Sequence, residues 1–289
     1  MILACGGFAA DPVMGRNYLR LPHPVPWGSP GNTGDGIKMA QLVGADLAHP
    51  YNYMQMAGLS APPYQTGFWA EPADGRFIYV GADGRRFIDE SQDKRHGKSP
   101  VRGMFDFHPG TPTWTVFDED GRLAGPLVPP RAVCSWGWMT QIERYEWSQD
   151  NRVEIERGWI NQASTVEDLA RQLGIDPDGL VSEVDRYNRW VADGVDDPMF
   201  GRPGTTMRPI SKAPFYGFAW AQLLITTLGG LRKDGRARVL DPFGEPIPGL
   251  YCAGDVASSY TWLLSGGMGL GDALAFGRIA GREAAALEP

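Results

Sequence analysis

Three glycine-rich junctions constrain this chain more than any other feature of its sequence: Gly6-Gly7, Gly34-Asp35-Gly36 and Gly266-Gly267-Met268-Gly269. The opening Met1-Ile2-Leu3-Ala4-Cys5 is an apolar run that reads as a buried strand ending in a tight turn. Asp35 reads as the acidic N-cap of a helix carrying Ile37, Ala40 and Leu42-Val43, interrupted by Gly44. Near the other end, Gly249-Leu250-Tyr251-Cys252-Ala253-Gly254 is a second buried strand, followed by the third glycine loop and a helix through Leu270, Leu274, Gly277, Ala280 and Ala284. Backbone without a Cβ at such junctions lets a large flat or phosphorylated ligand approach closely. Strand, glycine loop and helix in succession are the parts of a binding crevice in an open α/β sheet. Gly277 and Gly281 are spaced to let the last helix lie close to that sheet.

The middle of the chain has a different character. Phe77–Val80, the Gly81–Gly84 connection and Arg86–Asp89 suggest a hairpin, and Thr113–Phe117 a further strand. Ser164-Thr165-Val166-Glu167 has the form of a capping box, opening a helix that stops at Gly174. Asp176-Pro177 starts a second helix with Leu180, Val184, Tyr187 and Val191 along one face. The expected fold is therefore α/β, a discontinuous ligand-binding domain from residues 1–50 and 214–289 interrupted by an α+β domain over 51–213.

Composition removes several function classes. With 27 basic against 34 acidic residues the net charge is −7, and the basic pairs Arg85-Arg86 and Lys94-Arg95 are too short to track a phosphate backbone, so no nucleic-acid partner is expected. The longest nearly uncharged stretch, Pro214 to Leu231, carries Gln222, two Thr and three Gly, which argues against a membrane span. Cys5, Cys134 and Cys252 lie more than a hundred positions apart, so neither a local metal knuckle nor a redox pair is expected, and a reducing cytoplasmic setting fits them. His23, His49 and His108 adjoin prolines and read as turn residues. Asp93-Lys94-Arg95-His96 follows a strand of the inserted domain and reads either as a substrate contact or as a solvated loop. Asp255, at the carboxyl end of a buried strand, reads either as an acceptor for a ligand's hydroxyls or as a solvated strand end.

Taken in order, Ile2 to Phe8, Asn32 to Ala45, Gly84 to Glu90, Thr165 to Asn188, Pro209 to Phe215, Pro246 to Val256 and Gly266 to Ala284 resemble the carboxy-terminal portion of the fumarate reductase, succinate dehydrogenase and 3-ketosteroid dehydrogenase flavoproteins. The resemblance implies an FAD-binding domain interrupted by a capping domain, with substrate held between cap and flavin. It implies FAD contacts at Gly6, at Thr33, Gly34, Asp35 and Gly36, at Asp255 on the ribityl chain, and at Gly267, Gly269 and Leu270. The helix starting near Gly267 would point its positive end at the flavin pyrimidine edge. It further implies a proton donor or anion contact among Lys94, Arg95 and His96, with Tyr260 near the place of a family tyrosine that is Leu263 here.

The chain departs from the family in two respects. The dinucleotide fingerprint is not in the sequence, leading to the expectation of a chain that begins after it. The histidine and arginine that clamp a small dicarboxylate have Ile225-Thr226 and Leu264 in their places, and a further expected histidine falls in the apolar Met56-Ala57-Gly58. The expected activity is hydride transfer between flavin and an activated C=C or CH–CH bond of a ketone or carboxylate, with an apolar ketone favoured and the electron partner open. The competing expectation is a binding module dependent on a separate nucleotide-binding chain, whose Trp136, Trp138, Trp147 and Trp159 form either an apolar surface or cap core.

Overall fold

Residues 20, 22–23, 65–66, 93–96, 102–103, 109–111, 129–144, 258, 260–266 and 288–289 aside, the whole chain is described by a computed structural model. It divides into two compact units, residues 1–55 with 224–289, and residues 56–223.

In the first unit the chain runs through β1 (Ile2–Leu3), α1 (Pro12–Leu19), β2 (Val25–Pro26), α2 (Asp35–Gln41) and β3 (Leu47–Ala48), and leaves along β4 (Tyr53–Ser60). The second unit holds β5 (Gly67–Trp69), β6 (Phe77–Gly81), β7 (Lys98–Val101), β8 (Met104–Phe107), β9 (Thr113–Asp118), α3 (Glu119–Leu123), α4 (Arg152–Glu156), β10 (Asn161–Ala163), α5 (Val166–Leu173), α6 (Pro177–Asp193) and β11 (Phe215–Ala219). The chain returns along β12 (Ala221–Thr227) to β13 (Gly230–Leu231), β14 (Arg238–Leu240), β15 (Pro246–Cys252) and α7 (Met268–Ala285).

Within the first unit β1 lies parallel to β15 and β14 antiparallel to it, a three-stranded sheet in the order β1-β15-β14. Parallel pairing fits the crevice architecture read from the sequence, but β1 is half-exposed: Leu3 is buried while Ile2 faces outward. The core collects Phe8, Met14, Leu19, Ile37, Ala40, Leu224, Leu231, Val239, Cys252 and Val256. Gly277 of α7 approaches Ala253 just after β15, whereas no described residue lies within 4 Å of a Cβ built on Gly281, and the contact is continued instead by the buried Ala280.

The second unit is an antiparallel sheet in the order β10-β11-β9-β6 with α5 and α6 packed on it. Ile78, Val80, Trp114 and Val116 of the sheet meet Leu169, Leu180, Val184 and Tyr187 of the helices. β11 pairs with both β9 and β10, which is why residues up to Leu223 fall in this unit rather than in the terminal segment.

Local signals shift by single residues. Gly34, in the left-handed region at φ 72°, is the N-cap of α2, and Asp35 is its first helical residue. Thr165 is the N-cap of α5 and its hydroxyl accepts the Asp168 N–H at 3.0 Å, so the box is closed one residue later than read. The hairpin after β6 reduces to a turn and a single bridge between Val80 and Arg86, because the Arg86 side chain is drawn into a buried ionic network instead of continuing a strand. His49 does sit in a turn, at φ 50°. Trp159 is buried against Phe68, Tyr64 and Tyr145, as cap core requires; Trp136 and Trp138 lie outside the described residues. Among the described residues no helix is long and apolar enough to cross a membrane.

Candidate functional site

The residues expected to hold a flavin fall in the first unit, on four segments that its core draws together. The loop after β1 passes so close to β12 and β15 that only glycine fits at position 7: a Cβ there would overlap Thr227 Oγ1 and lie 3.0 Å from the Asp255 carbonyl. The Thr227 hydroxyl accepts the Phe8 N–H at 3.3 Å, and the Gly34 N–H donates to the Gly7 carbonyl at 3.0 Å. The first and second glycine junctions are thus joined directly, with Gly7 as the residue of closest approach.

The expected contact glycines separate into two kinds. At Gly6, φ 81°, a Cβ would overlap Asn32 Oδ1; at Gly34 it would overlap Met14 Sδ and meet Phe8 Cβ at 2.9 Å; at Gly36 it would overlap Cys5 Sγ and meet Val256 at 3.1 Å. Protein atoms already fill these Cβ positions, so these glycines set the packing of the site. Among the described residues a Cβ on Gly267, at φ 84° the N-cap of α7, would meet nothing within 4 Å, and one on Gly269 would meet Asp255 Oδ1 at 3.7 Å. Bare backbone at the start of an 18-residue helix, next to a carboxylate, is a cradle that a Cβ would partly fill. Leu270, one residue on, is exposed.

Asp255 lies in the single turn Gly254–Val256 that follows β15. The Thr226 hydroxyl of β12 donates to one of its oxygens, a link that the sequence did not indicate. Burial pushes the carboxyl above its ordinary value, the Thr226 hydrogen bond opposes this, and the charge of Asp272 adds to the rise. Asp255 is only partly buried, so it is a half-covered acceptor and not a fully solvated strand end. On α2, Asp35 is exposed and is bonded by the Thr33 hydroxyl at 2.9 Å, while Lys38 binds Asp11 at 2.5 Å and the Thr33 carbonyl at 3.0 Å. The Thr33–Gly36 loop is thereby braced from both sides.

The residue type and setting fit FAD. Among the described residues the partly buried Asp255 carboxylate is held by one hydroxyl and can accept further hydrogen bonds from a polyol, and the first N–H groups of α7 meet no capping side chain, which suits an electron-rich ring edge. The site also contains residues that sequence reasoning passed over. The side chain of Lys233, in the turn-like stretch Lys233-Asp234-Gly235-Arg236, is buried and paired with Asp272 of α7, its Nζ 2.8 and 2.9 Å from the two carboxylate oxygens. Nothing in the local pattern around Lys233 marks it as buried; only the pairing of α7 with the turn after β13 does so. The expected proton-transfer residues Lys94, Arg95, His96 and Tyr260, like Leu263 and Leu264, lie outside the described residues. In the second unit a cavity of about 300 Å³ is lined by Glu119, Arg122, Arg152 and Tyr216, but Arg122 is committed to Glu119 and to the Asp150 carbonyl at 2.6 Å.

Known proteins are similar to this chain over nearly all of its length. NADH:acrylate oxidoreductase of Vibrio harveyi is 31% identical over 296 residues, which cover 99% of this chain and 27% of that protein. 3-Oxosteroid 1-dehydrogenase of Mycobacterium tuberculosis is 30% identical over 314 residues, covering 97% of this chain and 51% of that protein. Among solved structures, 3-ketosteroid delta1-dehydrogenase from Sterolibacterium denitrificans in complex with 1,4-androstadiene-3,17-dione superposes with a TM-score of 0.75 at 28% identity, over 99% of this chain and 53% of that one. The chain spans about half the length, or less, of these relatives. The model of the FAD binding domain family matches residues 1–269, and the chain belongs to that family, whose cofactor is FAD.

Proposed function

We propose that this chain carries flavin-contacting and substrate-capping parts of an oxidoreductase that moves hydride between FAD and a carbon of a C=C or CH–CH bond activated by a neighbouring carbonyl. The observation that supports it is the extent of the likeness: proteins named for acrylate and for 3-oxosteroids, both carbonyl-activated, match over 97–99% of this chain.

FAD, when bound, supplies the two-electron carrier that takes up or returns the hydride. In this reading Asp255, steadied by Thr226, accepts hydrogen bonds from the ribityl hydroxyls, and Gly267 and Gly269 leave the α7 backbone open to the ring. The N-terminus of α7 places its partial positive charge where negative charge gathers, a fixed dipole that needs no rearrangement. Residues of the second unit contact the substrate, with one of Lys94, Arg95 and His96 as the proton donor or anion contact, and Tyr260 of the first unit is a further catalytic candidate. With Ile225-Thr226, Leu264 and Met56-Ala57-Gly58 where a dicarboxylate site has charged or imidazole groups, the favoured substrate is an uncharged ketone or enone.

The test is the visible spectrum of the full chain after reconstitution with FAD and desalting, followed by anaerobic addition of 4-androstene-3,17-dione, acrylate and fumarate to oxidised and to photoreduced protein. A retained flavin band that a ketone bleaches, or that an enone restores, with fumarate inert, is the expected result. A chain that keeps no flavin, or a flavin that no member of the panel oxidises or reduces, overturns the reading.

A further inference from the structure

From the structure we propose that the buried Lys233–Asp272 pair is the positioning element of the flavin site, fixing the Gly254–Val256 turn against the start of α7 so that Asp255 is presented to the ligand. The proposal rests on the reading of Asp255 as an FAD contact.

The side chains of Lys233 and Asp272 are 2% and 5% exposed, and four hydrogen bonds converge on the one carboxylate. Lys233 Nζ donates to both oxygens, the Gly254 N–H donates to Oδ1 at 2.9 Å, and the Ser259 hydroxyl donates to Oδ2. The Lys233 ammonium also sits 3.8 Å from the centre of the Phe276 ring, one turn further along α7. A buried ion pair is a poor device for stability alone, since well-packed apolar side chains of similar volume serve as well or better. What apolar side chains cannot do is accept the Gly254 N–H. That N–H opens the turn at a residue whose φ of 73° belongs to the left-handed region, and the next residue is Asp255.

The carboxylate that holds the turn also belongs to the helix whose first residues adjoin Asp255: a Cβ on Gly269 would be 3.7 Å from Asp255 Oδ1, and Asp272 lies three positions on. One side chain therefore couples the two elements in contact with the ligand, and Lys233 makes it affordable to bury that side chain charged.

The experiment compares two double variants of the full chain, Lys233→Met with Asp272→Asn and Lys233→Met with Asp272→Leu. Both remove the charges, but only asparagine keeps an acceptor for Gly254. Hydrogen exchange over residues 253–257 in flavin-free protein is expected to stay within about threefold of the parent in the asparagine variant and to accelerate about tenfold or more in the leucine variant, the loss of one hydrogen bond to a charged acceptor. FAD affinity, read by quenching of flavin fluorescence, is expected to fall in the same order, about tenfold weaker for leucine. Equal exchange in the two variants overturns the proposal whatever their FAD affinity. If neither folds, Asp272→Glu keeps the charge and shifts the acceptor by one methylene; unchanged exchange at Gly254 then overturns the proposal. Asp255→Asn separates the underlying reading: FAD affinity unchanged in that variant, with exchange still distinguishing the double variants, removes Asp255 as a contact and leaves the turn-positioning role standing.

Discussion

The two units bury charge for different ends. In residues 56–223, Arg86 pairs with Glu90 through two bonds of 2.7 and 2.6 Å and lies 2.9 Å from Asp197, while Arg202 reaches Glu90 at 3.0 Å and the carbonyls of Phe77 and Gly75 at 3.0 and 2.6 Å. All four side chains are out of solvent, and the Tyr187 ring faces both guanidiniums. The network joins the segment after β6 to the loop after α6, and its groups bond one another and nearby backbone, including the Tyr79 N–H that donates to Glu90. In residues 1–55 and 224–289 the buried pair Lys233–Asp272 likewise meets backbone, but the neighbouring Asp255, only partly buried, differs from the fully buried carboxylates of the other unit. Closed networks specify a fold; open ones leave capacity for a ligand.

Breaking the closed network has the largest expected effect. Glu90→Ala removes the carboxylate shared by two buried guanidiniums, and urea unfolding followed by tryptophan fluorescence is expected to show the second unit destabilised by about 3–5 kcal/mol. A loss below about 1 kcal/mol would mean that the network is not closed in solution.

Next comes the packing of the first unit. Gly34→Ala forces a side chain into the left-handed region and against Met14 and Phe8, for which about 2–3 kcal/mol is expected from strain and overpacking together. Calorimetry of that variant sharpens the distinction between glycines that pack and glycines that stay bare, because Gly267→Ala, whose Cβ would meet no described residue within 4 Å, bears only the backbone strain of about 1–2 kcal/mol.

A smaller effect, of opposite sign, is expected at Asp255. Its carboxyl is raised in the fold, so the stabilising contribution belongs to the protonated form, is fully present below the ordinary value of 3.8, and is lost as the pH rises through the raised value. Asp255→Asn should therefore raise Tm at pH 7, by about 2 °C if the relief is about 1 kcal/mol, and the gain should vanish in acid. A variant no more stable at pH 7 than the parent would show that Asp255 is as well solvated as any surface carboxylate.

The smallest expected effect is on reactivity. Cys252 is buried and its thiol is pushed up to about 12 by desolvation, whereas Cys5 is exposed. Peptide-level mass spectrometry after brief iodoacetamide treatment should find Cys5 modified and Cys252 protected until denaturant is added.

Much of this was legible in the linear sequence where one residue's conformation suffices. Gly174 ends α5 in the left-handed region at φ 75°, and Pro177 starts α6, as their types require. The strand at Gly249–Gly254, the glycine junctions and the helix beyond them are likewise local properties of glycine and of apolar runs. Arg86 and Lys233 were not legible. Arg86 reads as the start of a hairpin strand and Lys233 as part of a turn, and each is buried because a distant segment supplies its counter-charge: Asp197 is 111 positions from Arg86, and Asp272 is 39 positions from Lys233.

The sequence by itself determined the α/β class, the family likeness and the places where backbone is free of side chains, because periodicity and glycine conformation act over a few residues. Only the tertiary structure decided which of those glycines are filled by neighbours and which stay bare, that Thr226 holds Asp255, and that Lys233 and Asp272 neutralise one another beside it. Those outcomes depend on which distant surfaces meet. A charge is tolerated inside a protein only where an opposite charge and enough hydrogen bonds meet it.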